Sequence, residues 1–402
     1  MLAIQYLEQS PELAGLEAEP VQSRLRDAFQ RLPLDAVILG WSVPGALVDA
    51  CASETAKTGA RLYRWQPLLA GCVPEIDPHW RVIGVNGEPV PGYQGLPEFT
   101  FVCPNNAAAV QAVLDQFTLA LHSGPYQGVF LDRIRFPSPA SDPLARMSCF
   151  CEACQQAAAG EGLDLEAVRE AIQAMARSFK GRKNFLSQLF GAHNQTPGIE
   201  NLDLLGRYLA FRARSIACFV ESAAAIARHS GLKVGLDCFS PALTRMVGQD
   251  LRGLKPSCDW IKIMTYGHSL APAGLPYELQ HLAEWLEPVA PNGERGALRS
   301  VSQAARVALP ASYDELRQQG IRPPELAAEV ETARQAGVTT LLAGIELVEL
   351  AGVTALDPVQ TRADLRAIHR AGPDGLVLSW DLWRIPPERL DWVREAWLAG
   401  SE

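Results

Sequence analysis

Short apolar runs alternating with helically patterned blocks limit this chain's folding options more than any other feature. Eight such runs stand out: 35–41 (DAVILGW), 60–68 (ARLYRWQPL), 98–104 (EFTFVCP), 128–136 (GVFLDRIRF), 233–241 (KVGLDCFSP), 259–268 (DWIKIMTYGH), 338–350 (VTTLLAGIELVEL) and 374–383 (DGLVLSWDLW). A helical segment at 21–32 precedes the first. Blocks at 44–59, 106–123, 276–289, 324–337, 358–372 and 387–400 repeat a one-sided apolar stripe. In the first of these, Leu47, Ala50, Cys51 and Thr55 share a face. Five of the blocks open on proline and four close on glycine, the expected asymmetry of helix starts and stops.

Strands alternating with helices read as parallel βαβ units. Runs such as AVIL and GLVL suit strands covered on both faces. Eight strands close a (β/α)8 barrel, which needs roughly 250 residues plus insertions. The expectation is one TIM barrel over 1–402, with long insertions after strands 2, 4 and 6 (69–97, 137–232 and 269–337). The insertion 137–232 reads as a helical subdomain beside the mouth, with helices at 164–179 and 202–230 and a loop at 181–198. No G-x-G-x-x-G follows the first run, which argues against an open dinucleotide-binding sheet.

Composition narrows the function. The chain is 48% hydrophobic and 20% charged, ordinary for a globular protein. With 45 acidic against 36 basic residues, a net charge of −9 and no basic run, it carries no nucleic-acid footprint. No apolar run approaches the roughly 18 residues of a membrane span. The N-terminus MLAIQYLEQSPEL has neither a positive n-region nor a small-residue cleavage site, so the expected location is cytoplasmic. Nine cysteines, an odd number, do not read as a secreted disulfide framework.

In a barrel of this kind the functional face is the C-terminal end of the strands. Four runs carry an acid there: Asp132, Asp237, Glu346 and Asp381. Period-2 alternation turns Phe130 and Asp132 inward while Val129 and Leu131 face the helices, and it places Leu342, Gly344 and Glu346 on one face. Any one acid reads equally well as a strand-end cap or an arginine partner; four at one end read as a site. Paired carboxylates suit glycoside hydrolysis, one as a protonated acid and one as an ionised nucleophile or base. Asp132, close to Arg133 and Arg135, takes the ionised role, and Glu346 or Asp237 the acid role.

Trp41, Trp65, Phe136, Tyr266, Trp380 and Trp383 lie near the same strand ends and offer planes for sugar rings. Arg64 and Arg135 join them as substrate-binding candidates. Lys262 and Tyr266, at even spacing on one run, share the inward face, and a lysine inside a barrel needs carboxylate neighbours. Lys262 also supports a different chemistry, a Schiff-base aldolase or lyase. A non-catalytic carbohydrate-binding barrel is a third reading. A metal-dependent hydrolase is a fourth, weakened because among the histidines only His268 falls near a strand end.

The segment GVFLDRIRFP, 128–137, resembles the DGIhLDyhRYP type of segment (h, hydrophobic) in an uncharacterised family of glycoside-hydrolase-like TIM barrels. Asp132, Arg135, Phe136 and Pro137 match, while the leading aspartate of that pattern is Gln127 here. The resemblance is clearest over 125–155, with weaker echoes in GLDCFSP, DWIKIMTY and GLVLSWDLW. It implies that Asp132 is a catalytic carboxylate on the fourth strand and that the substrate is a polysaccharide or glycoconjugate. A Cys-x-Cys-x-x-Cys cluster also occurs in some sequences of that kind.

That cluster, CFCEAC, brings Cys149, Cys151 and Cys154 within six residues. Such spacing lets thiolates share one tetrahedral ion. Three cysteines need a fourth ligand, for which Cys103, Cys72 and His193 are candidates. The expectation is a closed structural zinc, with no cofactor for catalysis; free thiols or a disulfide within the cluster are the alternatives.

Overall fold

The computed structural model describes residues 1–8, 13, 15–191 and 200–398. Eight parallel strands close into a barrel in sequence order: β1 Leu2–Tyr6, β2 Ala36–Leu39, β3 Arg61–Pro67, β4 Gly128–Asp132, β5 Lys233–Phe239, β6 Trp260–Met264, β7 Leu341–Glu346 and β8 Gly375–Ser379. Pairing of Leu2 with Leu376 and of Ala3 with Ala36 completes the ring through β1.

Two expectations change here. The run 98–104 is not a barrel strand. Residues Pro97–Phe99 form a 3-10 turn, and Phe101 and Val102 make isolated antiparallel bridges to Ala70 and Arg81. β3 pairs directly with β4, so no gap exists for that run to fill. Its place in the count belongs to β1, the run LAIQY at Leu2–Tyr6, which is not among the eight apolar runs singled out above. The first insertion therefore follows β3, not a second strand. The segment expected as a loop at 181–198 also differs: Phe179–Leu189 is a helix, capped by the Ser178 hydroxyl accepting from Gly181 N and buried along Phe185, Leu186 and Leu189. Residues 192–199, His193 among them, lie outside the described residues.

The barrel helices fall where periodicity places them, including Ala18–Arg31, Gly45–Thr58, Ala107–Leu121, Pro323–Gln335 and Pro358–Ala371. The connection from β4 to β5 carries helices Glu152–Gly160, Leu165–Met175 and Phe179–Leu189, then Glu200–His229, which packs on β5. Among the described residues no helix is long and apolar enough to cross a membrane.

Polar residues immediately before alternate strands tie the barrel's lower rim. Asp35, Gln127, Asp259 and Asp374 precede β2, β4, β6 and β8. Each accepts the first N–H of the preceding strand or its start: Leu2 (2.7 Å), Leu62 (2.7 Å), Val234 (2.8 Å) and Leu341 (2.7 Å). Gln127, the departure from the family pattern, thus supplies an oxygen in the same way as the aspartates.

The lumen is filled. Phe130 stacks on Trp260 at 5.1 Å, Tyr63 meets Trp260 edge-on at 5.6 Å, and Ala3, Ile38, Trp65, Leu342 and Val377 close around them. This apolar plug forces any chemistry above it, because a packed barrel interior admits no substrate.

Candidate active site

Two residues beyond the plug, the inward positions become polar. Gln5, Asp237 and Lys262 are fully or almost fully buried there. Lys262 Nζ donates to Gln5 Oε1 (3.2 Å), Asp237 Oδ2 (3.2 Å) and Tyr266 Oη (2.7 Å). An ammonium has three donors, and this one has three acceptors. Its stem fits because β7 carries glycine: a Cβ on Gly344 would lie 2.3 Å from Lys262 Cε. Burial pushes the Asp237 carboxyl up to about 7, with Lys262 opposing and the charge of Asp132 adding to the rise. Asp237 Oδ1 is buried without a partner among the described residues.

Asp132 ends β4 beside this layer and is 8% exposed. Its Oδ2 accepts from Trp65 Nε1 at 3.0 Å and its Oδ1 from the Arg133 amide. Trp41 packs edge-on against Trp65, with ring centroids 5.3 Å apart.

The other two acids are engaged differently. Glu346 accepts from His268 N at 2.6 Å, in a closed corner where His268 Nε2 lies 2.7 Å from Asp364 Oδ2. Burial raises Glu346 to about 7 against the pull of His268. The Asp364 bond and the Glu346 charge hold His268 above its ordinary value, although burial opposes them. Asp381 accepts from Leu7 N (2.8 Å) and Trp383 N (3.0 Å), bracing the turn after β1. Burial lifts Asp381 to about 6, with those two amides opposing.

Above these tips runs a groove of about 1160 Å³ whose lining includes Glu8, Trp41, Glu98, Phe99, Arg133 and Arg384. Arg133 has a left-handed backbone (φ 51°), which carries its side chain off the strand and into the wall. There Nη1 donates to Glu98 O at 2.7 Å and the guanidinium lies over the Phe99 ring at 4.3 Å. Gly71, at φ 77°, makes room, since a Cβ there would lie 2.7 Å from Arg133 Nη1.

Of the predicted aromatics, Trp41 lines the groove. Trp65 lies beneath it in the lumen. Tyr266 and Trp380 face each other at 6.0 Å on the β6 and β8 side. Trp383 is half-buried on the outer core, and Phe136 is buried under Arg212 at 4.6 Å. Arg64 lies on the opposite face of β3, because Tyr63 and Trp65 take the inward positions. It bonds Gln66, Ser123 and the Trp41 carbonyl (2.8 Å), so it supports the Trp41 loop from behind. Arg135 is buried between Phe101 and Phe239. Burial pulls it down to about 10, with Asp132 opposing.

Sequence reasoning missed Glu8, because it missed β1. Glu8 follows that strand and stands in the groove wall. Burial and Asp381 push it up to about 7, while Arg133 and Arg384 oppose. The signal was present as an acid two residues beyond the apolar run LAIQY. The cysteines are gathered elsewhere, outside the groove.

No family model and no curated protein matches the chain. Solved structures do. The glycoside hydrolase domain of PgaB (BpsB) from Bordetella bronchiseptica aligns over 100% of this chain and 96% of that one, at a TM-score of 0.57 and 14% identity. The alpha-L-fucosidase isoenzyme 2 from Paenibacillus thiaminolyticus aligns over 99% of this chain and 49% of that one, at a TM-score of 0.54 and 11% identity. What the chain shares with these two proteins is the fold, a closed (β/α)8 TIM barrel.

Proposed function

We propose that the chain hydrolyses glycosidic bonds in a polysaccharide or glycoconjugate, with Asp132 as the ionised nucleophile and Asp237 as the protonated acid. The observation that carries this reading is Asp132 itself, an acid at the β4 tip beside the polar layer. Its chain neighbour Arg133 lines the groove, as does Trp41, which packs against its hydrogen-bond donor Trp65. Both of its oxygens accept from N–H donors, the arrangement an ionised carboxylate makes. Asp237 is the neighbouring carboxyl. The register pairs Leu131 with Leu236, so Asp132 and Asp237 stand at the same level on neighbouring strands. The buried, unpartnered Oδ1 of Asp237 is the oxygen placed to carry the proton.

In this reading Glu346 and Asp381 are positioning groups, one holding the start of the β6 loop and one the turn after β1. Trp41 and Phe99 give a sugar chain apolar faces, and Glu8 and Arg133 give it polar ones. The groove exceeds the roughly 300–1,000 Å³ of small-ligand pockets, which favours a polymeric substrate. Lys262, with all three donors engaged, serves as the counter-charge of Asp237. Borohydride trapping with carbonyl substrates is expected to leave it unlabelled, and labelling would favour the Schiff-base chemistry instead.

The test is release of new reducing ends from a panel of polysaccharides. The reading expects release from at least one member. Binding to a member with no release by the wild type would make the chain a carbohydrate-binding barrel.

A further inference from the structure

Away from the groove, four cysteines from two distant stretches of chain meet. Cys103 follows the bridged residues Phe101 and Val102, and Cys149, Cys151 and Cys154 come from the loop after β4. All four Sγ atoms lie within 4.8 Å of one another. Cys103 is 3.4 Å from Cys154 and 3.5 Å from Cys151. A disulfide would need about 2.05 Å. Four sulfurs around zinc, each about 2.3 Å from the ion, stand roughly 3.8 Å apart. The observed spacing is that of the second arrangement.

The surroundings fit anionic sulfur. Ile83 N donates to Cys149 Sγ (3.3 Å), Asn105 N to Cys103 Sγ (3.4 Å) and Asn105 Nδ2 to Cys154 Sγ (3.3 Å). A thiol is a weak acceptor, and three N–H groups aimed at one cluster suit metal-bound thiolates. A cation stands nearby. Arg212 is fully buried in the helix Glu200–His229 and donates to Met246 O at 2.8 Å. Its Nε and Nη2 have no partner among the described residues. Its guanidinium lies over the Tyr208 ring at 5.7 Å, and that ring stacks on Phe150 of the cysteine loop at 5.1 Å. A buried guanidinium needs a counter-charge, and a four-thiolate metal unit is net negative.

We infer that Cys103, Cys149, Cys151 and Cys154 form a closed, structural zinc site. Of the two fourth-ligand candidates among the described residues, Cys103 and Cys72, Cys103 is the one that reaches the cluster. The Cys72 thiol lies instead beside Val113 O (3.7 Å). Four protein ligands leave no open position for substrate or water, so the site holds structure and performs no chemistry. What it holds is the groove rim. The stretches 81–84, 101–105 and 147–154 are joined to one another by isolated bridges, including Gly84 to Ser148, and by the sulfur contacts. Arg81, Phe99 and Thr100 on the first two stretches or next to them line the groove. The site is independent of which reaction the groove performs.

The experiment measures metal content by elemental analysis of the full chain expressed in zinc-replete medium, then exchanges the metal for cobalt. The expected result is about one zinc per chain, and intense visible bands of thiolate-ligated tetrahedral cobalt. Cys103→Ser and Cys154→Ser should lose most of the metal and melt at lower temperature, while Cys72→Ser retains it. The wild-type measurements stand even if those variants fail to fold. Zinc well below stoichiometry, iron in its place, a cobalt spectrum without thiolate character, or a disulfide among the four in the unreduced protein would overturn the inference.

Discussion

At the residue scale, the acid that ends a buried strand is explained by what lies beyond it. Asp132 meets the mouth where the apolar plug stops, and its carboxylate is held by Trp65 and the Arg133 amide. This much was legible, because alternation from Phe130 fixes the inward face. The directions of the arginines were not, because the left-handed backbone at Arg133 breaks the alternation that would have assigned them. If Asp237 is the acid, turnover falls as pH rises through about 7, since deprotonation removes the donor. A pH profile of kcat/KM checks this, and a rate still rising at about pH 9 would contradict it. Lys262→Met should move that alkaline limb to higher pH, because Lys262 is the charge that opposes the rise of Asp237. The same variant should lose about 3 kcal/mol of stability by denaturant unfolding, the order expected when one partner of a buried pair is removed.

At the scale of the element, seven of the eight strands were readable as apolar runs, and β1 was not. The run LAIQY is short and carries Gln5 among its apolar residues. The run at 98–104 imitated a strand because Phe101 and Val102 are buried against the loops 70 and 81, not against a sheet. A finer pattern was present along the sheet. Asp35, Gln127, Asp259 and Asp374 each stand immediately before an even-numbered strand and strap the odd-numbered one before it. Asp374→Ala leaves the Leu341 amide without its acceptor and should cost about 1–3 kcal/mol, read as a fall in the denaturation midpoint. Gly344→Ala drives a methyl group against Lys262 Cε, which three partners hold in place. A comparable loss of about 1–3 kcal/mol is expected from that overpacking.

At the scale of the whole molecule, the barrel was legible from the count and the groove was not. Its walls come from loops that carry neither period, and their positions depend on contacts far apart in sequence, such as Arg133 with Glu98. The fold also buries a set of acids, and this sets its response to pH. Burial raises Glu8, Asp237 and Glu346 to about 7 and Asp381 to about 6, and it raises Glu278 and Glu329 as well. Folded values above the unfolded ones mean that the native state holds protons the unfolded chain has released. The stabilisation is full below the unfolded values near pH 4 and is lost as pH rises through about 6 to 7. Calorimetry should therefore give a higher Tm at about pH 5 than at about pH 8. The central claim, that Asp132 is the catalytic carboxylate of a glycosidase, is tested most directly by comparing Asp132→Asn with the wild type on a polysaccharide that the wild type cleaves, measuring release and binding together. The account predicts that release disappears while sugar binding is kept, with Tm lowered because the amide leaves one of the two N–H donors without an acceptor. Release at near wild-type rate by the folded variant would contradict it.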